Sequence, residues 1–191
     1  MGDRALRRLQ LHADMAAALV TAELASSLER CAGAVADRLE AGGTLVLFGN
    51  GGSAADAHHV AAEFTGRYML ERDPLPAVAL AENAAAVTAI GNDYGFDQVF
   101  ARQVRAYRRS GGAAIALSTS GSSPNVLEGL RAARECGLLT VGVTGPRGGA
   151  MAELCDQLIV IPAEDTPQIQ EGTMLVLHTL CELVEQRLFG G

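Results

Sequence analysis

His59 and Glu63 stand four residues apart in a proline-free, alanine-rich stretch. At that spacing an imidazole and a carboxylate share one face of a helix. Gln170 and His178 stand eight apart in a second apolar stretch, again close to one face. A single His–Glu pair on a helix reads as an ordinary ion pair. Two polar pairs, each on an otherwise apolar helix, point instead to a site that could move protons. His12 and His58 lack such a setting and read as surface or packing residues.

Two turns could hold a ligand. In Gly49-Asn50-Gly51-Gly52-Ser53 the glycines permit positive φ and let backbone N–H groups approach a bound molecule. Ser53 can cap the following helix, with Asp56 as a partial capping box. The dinucleotide pattern GxGxxG is absent, and a plain strand-to-helix turn is the alternative. In Ser118-Thr119-Ser120-Gly121-Ser122-Ser123-Pro124-Asn125 the hydroxyls begin where an apolar run stops, and proline opens a helix. Hydroxyls and free N–H groups at a helix N-terminus form an anion site. A flexible polar loop is the alternative there.

Composition narrows the chemistry. All 15 Lys+Arg positions are arginine. Without lysine there is no Schiff-base enzyme, no ordinary pyridoxal phosphate enzyme and no Walker-type phosphate loop. Any phosphate must be held by arginine, hydroxyls, backbone amides or a helix terminus. The net charge of −7 argues against nucleic acid or an anionic membrane as partner. No uninterrupted apolar run reaches the ~18 residues of a membrane span, and no signal-peptide core follows Met1–Gln10. Cys31, Cys136, Cys155 and Cys181 form no CxxC and read as reduced thiols of a cytoplasmic protein.

The elements that must position these residues follow from periodicity. Apolar residues recur every three or four positions from Leu9 to Leu39, predicting one long helix from about Arg4 to Glu40. Such a helix either packs on its own sheet or, in the reading favoured here, packs partly against another subunit. Short apolar runs at 44–48, 77–80, 113–117, 139–143 and 158–161 alternate with helical stretches at 54–67, 83–90, 97–109, 124–136, 150–154 and 168–189. Almost continuously apolar strands alternating with helices predict a parallel sheet covered on both faces, hence an α/β/α sandwich. Ligands in such sheets bind beyond the carboxyl ends of the strands.

The run from Gly49 to Arg67 closely resembles the signature of phosphoheptose isomerases, of the sugar isomerase (SIS) superfamily. Ala89 to Gly95, Ser118 to Asn125, and Ile169-Gln170-Glu171 with His178 resemble three further blocks in order. The resemblance covers nearly the whole chain and implies one SIS domain over 1–191. Residues 1–40 would serve oligomerisation, and 41–191 would form a sugar-phosphate-binding core with a five-stranded, flavodoxin-like parallel sheet. It implies conversion of sedoheptulose 7-phosphate to D-glycero-D-manno-heptose 7-phosphate through a cis-enediol, with Glu63 as general base and His178 as its acid/base partner. His59, Glu63, Gln170 and His178 would bind one zinc per subunit. Ser53, Ser118, Thr119, Ser120 and Ser123 would hold phosphate and sugar hydroxyls, with Asn50, Gly51, Gly52, Asn92 and Asp93 around the sugar; Glu63 and Gln170 also touch it. The implied assembly is a homotetramer.

Pro167, Gln168 and Thr173 depart from the family pattern of an acidic residue, an arginine and a histidine. They leave Glu63 and His178 intact and bear on contacts near the sugar, and so on substrate preference or metal affinity. Two rivals stay open: a non-catalytic SIS tetramer that associates with the DnaA replication initiator, and an isomerase of another sugar phosphate.

Overall fold

A computed structural model describes residues 2–190. Five parallel strands form one sheet: β1 (Leu45–Gly49), β2 (Ala77–Ala79), β3 (Ala113–Ser118), β4 (Leu139–Thr144) and β5 (Gln157–Val160). The spatial order is β2-β1-β3-β4-β5. Leu47 lies beside Ile115 and Gly49 beside Leu117, so β1 and β3 end level with each other. The order reverses between these two strands, which is where an open α/β sheet presents its crevice.

Among the described residues the α-helices are α1 (Gly2–Leu19), α2 (Ala22–Glu40), α3 (Gly52–Thr65), α4 (Ala84–Tyr94), α5 (Val99–Ala106), α6 (Pro124–Glu135) and α7 (Thr166–Phe189). Successive side chains of a strand point to opposite faces. Leu45 and Leu47 therefore join one core with Val35, Val60 and Leu177, from α2, α3 and α7. Val46 and Phe48 join another with Val99, Phe100, Val126 and Leu130, from α5 and α6. Both faces of the sheet are covered, as the continuously apolar strands predict.

The long first helix is not continuous. α1 stops at Leu19 and Thr21 takes an extended conformation (φ −128°, ψ 148°). Its hydroxyl accepts from the Leu24 N–H at 3.1 Å, which caps a new helix. The apolar spacing runs through this break because both helices face the same neighbour, α7. Gly33, the weak point of the helix by propensity, stays helical within α2.

The residues that depart from the family pattern are all accommodated at the start of α7. Asp165 caps the helix by accepting from the Gln168 N–H at 3.1 Å. Pro167 lies in the first turn, where its missing N–H has no partner to lose. The buried Gln168 amide donates to the Leu11 carbonyl of α1 at 2.7 Å. Thr173 is buried and returns its hydroxyl to Ile169 O at 2.8 Å.

Candidate active site

The two strand-end turns lie side by side beyond β1 and β3. In the first, Gly51 has φ 56° and ψ −120° and forms the N-cap of α3. That backbone is open to glycine and strained for other residues. Gly52 begins the helix, and a Cβ there would fall inside the Gln170 amide of α7. Ser53 lies inside the first turn of α3 and is buried, and the cap makes no side-chain hydrogen bond. The expected capping box with Asp56 therefore does not form. A backbone of positive φ at Gly51 has already taken the cap position.

In the second turn the hydroxyls gather. Ser118 Oγ lies 3.2 Å from Ser123 Oγ and 3.5 Å from Ser120 Oγ. Ser120 Oγ accepts from the Ser122 hydroxyl at 3.1 Å. Ser123 stands at the N-cap of α6 without a capping side-chain bond, so its hydroxyl is turned toward Ser118. Thr119 follows at the strand end, with its carbonyl accepting from Gly145 N at 3.2 Å. Four hydroxyls thus cluster at a helix N-terminus, an arrangement suited to a phosphate.

A pair of amides joins the turns. Asn50 donates to Asn125 Oδ1 and Asn125 donates to Asn50 Oδ1, each at 2.8 Å. Asn125 is 2% exposed. Both residues belong to the quoted blocks, but no local pattern pairs positions 75 apart.

α3 and α7 run side by side. Gly52 meets Gln170 near their starts. Two turns on, His59 meets His178 with Nε2 atoms 3.3 Å apart and rings at 5.0 Å. His59 Nε2 also lies 3.1 Å from Glu63 Oε1. One ligand atom from each of His59, Glu63 and His178 lies within 4.8 Å of the others. The three donor atoms thus converge on one point. Two imidazole nitrogens and a carboxylate are also the protein ligands of one type of catalytic zinc site. The residues fit a divalent metal. Glu63 and His178 are half-buried, which leaves the group reachable from solvent.

Gln170 lies two turns from His178 toward the glycine turn. Its amide contacts Gly52, and it lines one hollow with Asp56. Burial pushes the Asp56 carboxyl up, against the opposing effects of the nearby Gln170 amide and His59. Asp56 Oδ2 is buried without a partner. Asp56 shares a helical stripe with His59 and Glu63, a spacing the sequence displays. Tyr68 is the other addition: its ring packs 5.5 Å from the His178 ring, and nothing local in the sequence marks it. Asn92 and Asp93 sit in the last turn of α4, exposed and bonded to each other at 2.8 Å. Among the described residues neither hydrogen-bonds to either turn. His12 contacts Glu171 of α7 and His58 is exposed, matching their packing and surface roles.

The chain is similar to known proteins. The SIS-domain family model matches residues 12–145. A phosphoheptose isomerase of Rhodospirillum rubrum is 53% identical over 166 residues, covering 87% of this chain and 88% of the relative. The structure of phosphoheptose isomerase GmhA from Neisseria gonorrhoeae is 37% identical with a TM-score of 0.87, covering 96% of this chain and 98% of that one. A phosphoheptose isomerase from Francisella tularensis is 32% identical with a TM-score of 0.91, covering 96% and 97%. With a hydroxyl turn, a glycine turn and a His–Glu–His group on one SIS scaffold, and with relatives this similar along nearly all its length, the chain belongs to the phosphoheptose isomerases of the SIS-domain family.

Proposed function

We propose that this enzyme interconverts sedoheptulose 7-phosphate and D-glycero-D-manno-heptose 7-phosphate. The observation that carries the reading is the convergence of Glu63 of α3 with His178 of α7 in a chain that also carries a lysine-free hydroxyl turn at a helix N-terminus. The donor group lies roughly 10–16 Å along α3 from Gly52, at 1.5 Å per residue. An anion held by Ser53, Ser118, Thr119, Ser120 and Ser123 would leave the other end of the sugar at Glu63 and His178. Asn50, Gly51, Gly52 and Gln170 would line the chain between them. Asn92 and Asp93, exposed on α4, would contribute only once the full site is assembled.

Glu63 would remove the proton from C1 of the ketose, giving a cis-enediol, and return it to C2. His178 would move the accompanying proton between O2 and O1. The tilted packing of Tyr68 on His178 would restrict the imidazole to orientations that reach both oxygens. His59, Glu63 and His178, with Gln170 as fourth donor, would hold one zinc ion. When bound, zinc would polarise the substrate oxygens and stabilise enediolate charge.

The exposed Leu6 and Leu9 of α1, and an apolar hollow of about 750 Å³ between α1, α2 and α7 that the exposed Val20 and Leu175 line, support self-association, with a homotetramer as the assembly. On this reading 1–191 is one SIS domain whose first 40 residues serve assembly. The free cysteines support a reducing, cytoplasmic location, and no described helix is long and apolar enough to cross a membrane.

The test is Glu63→Gln assayed with sedoheptulose 7-phosphate, following the aldose product by NMR. A loss of kcat on the order of 10²–10⁴ is expected, the usual weight of a general base. Near wild-type turnover would remove Glu63 from this role. Full activity after exhaustive chelation would remove the metal.

A further inference from the structure

One buried polar cluster lies outside the donor group and the two turns. Glu185 is on α7, seven residues past His178, and so near the same face two turns on. Arg72 is in the connection between α3 and β2. Their side chains are each 2% exposed and meet at 2.9 Å, Arg72 Nε to Glu185 Oε1. Glu185 Oε1 also accepts from Tyr68 N at 3.0 Å, and Oε2 accepts from Met69 N at 2.7 Å and Leu70 N at 2.8 Å.

The rest of the guanidinium serves the end of α3. Nη2 donates to the carbonyl of Glu63 at 2.8 Å. Nη1 reaches the carbonyls of Phe64 (3.0 Å), Gly66 (3.3 Å) and Asp73 (2.9 Å). Carbonyls in the last turn of a helix lack intrahelical partners, and a cation there also complements the helix dipole. Removing two charges from water is costly, and an apolar pair of the same shape stabilises a fold as well or better. Stability alone therefore gives a weak account of this pair. Its contacts give a stronger one, because they fall on the backbone of Glu63, on the backbone of Tyr68, and on the helix that carries His178.

We propose that Arg72 and Glu185 are positioning residues for the isomerisation: their buried ion pair holds the end of α3, with Glu63, in register with His178 on α7 and sets Tyr68 against the His178 ring. This rests on Glu63 and His178 being the proton-transfer pair. The hydroxyl turn lies on β3 and α6, so its hold on phosphate is independent of the device.

Arg72→Lys tests it. Lysine keeps the charge but lacks the planar fork that reaches Glu185 and several carbonyls at once. The expected result is a folded protein whose kcat falls about 10- to 100-fold, the scale of a small misplacement of reacting groups. Its KM for sedoheptulose 7-phosphate should stay within about threefold, because phosphate contacts are untouched. The visible absorption of the Co²⁺-loaded protein should change in shape, because His59, Glu63 and His178 no longer hold the same geometry. Glu185→Gln, which keeps the shape and one acceptor oxygen, carries the same expectations should Arg72→Lys not fold. A folded variant with wild-type kcat and a wild-type Co²⁺ spectrum overturns the proposal, as does a lowered Tm without a change in kcat. Wild-type protein that neither isomerises the sugar nor binds Co²⁺ removes the reaction centre itself, and the positioning role with it. Active wild type alongside an equally active variant removes the positioning role alone.

Discussion

The amide pair between the two ligand turns gives the most quantitative prediction. Asn50→Ala removes both 2.8 Å hydrogen bonds at once. It leaves the Asn125 amide, 2% exposed, without its partner. Two neutral hydrogen bonds contribute about 1–3 kcal/mol net, and a stranded buried amide adds about 1–3 kcal/mol. Water reaching the half-buried position 50 recovers part of this, so the expected loss is about 2–4 kcal/mol. For a chain of this length that lowers Tm by about 4–16 °C. The same change should raise KM for the sugar phosphate, because the glycine and serine turns are no longer tied. A double-mutant cycle with Asn125→Ala isolates the pair, with Tm read by circular dichroism and KM by product NMR. The coupling should be about 1–3 kcal/mol, since the second substitution removes the group that the first left stranded. Additive effects, within about 0.5 kcal/mol, would refute the reasoning: the turns would then be held by their own strands.

Other outcomes follow from single positions. Gly52→Ala should change Tm little, because alanine favours the helix by up to about 1 kcal/mol while the clash falls on the end of a flexible side chain. It should nevertheless lower kcat/KM by displacing Gln170, and unchanged kinetics would remove Gln170 from the site. Burial raises the Glu185 carboxyl, but N–H groups of Leu70, Met69 and Tyr68 and the Arg72 guanidinium outweigh it and hold it below the usual range. A carboxyl lowered in the folded state stabilises above its unfolded value, about 4.3 for glutamate, and loses that contribution as pH falls through the lowered folded value. Tm measured downward from pH 5 should therefore fall less steeply in Glu185→Gln than in wild type. Burial pushes the thiols of Cys31 and Cys181 up to about 12. Iodoacetamide at pH 8 should leave both unlabelled in native protein and label them after denaturation, as read by peptide mass spectrometry.

Much of this protein is legible along the chain because local patterns report what each element buries and how its ends are satisfied. Runs such as Leu45–Phe48 and Ala113–Leu117 are apolar on both faces, and only a strand covered on both sides suits them. The hydroxyls after β3 and the glycines after β1 mark two helix N-termini whose backbone N–H groups are free to take a ligand. With lysine absent, any phosphate would have to be held by arginine, hydroxyls, backbone amides or a helix terminus. The His59–Glu63 spacing declares a shared helical face. The break at Thr21 was within reach of the same reasoning, but the apolar spacing on either side masks a cap that depends on one hydroxyl.

What only the tertiary structure decided is which of these faces meet. The strand order brings the ends of β1 and β3 together, and that lets Asn50 bond Asn125. The parallel packing of α3 on α7 sets His178 against His59 and Gln170 against Gly52. Glu185 finds Arg72 across 113 residues, and Tyr68 comes to rest on His178. Periodicity shows that a helix has an apolar face, but many neighbours could cover it. The choice among them rests on side-chain shapes fitting at a distance along the chain, and no local window contains both partners.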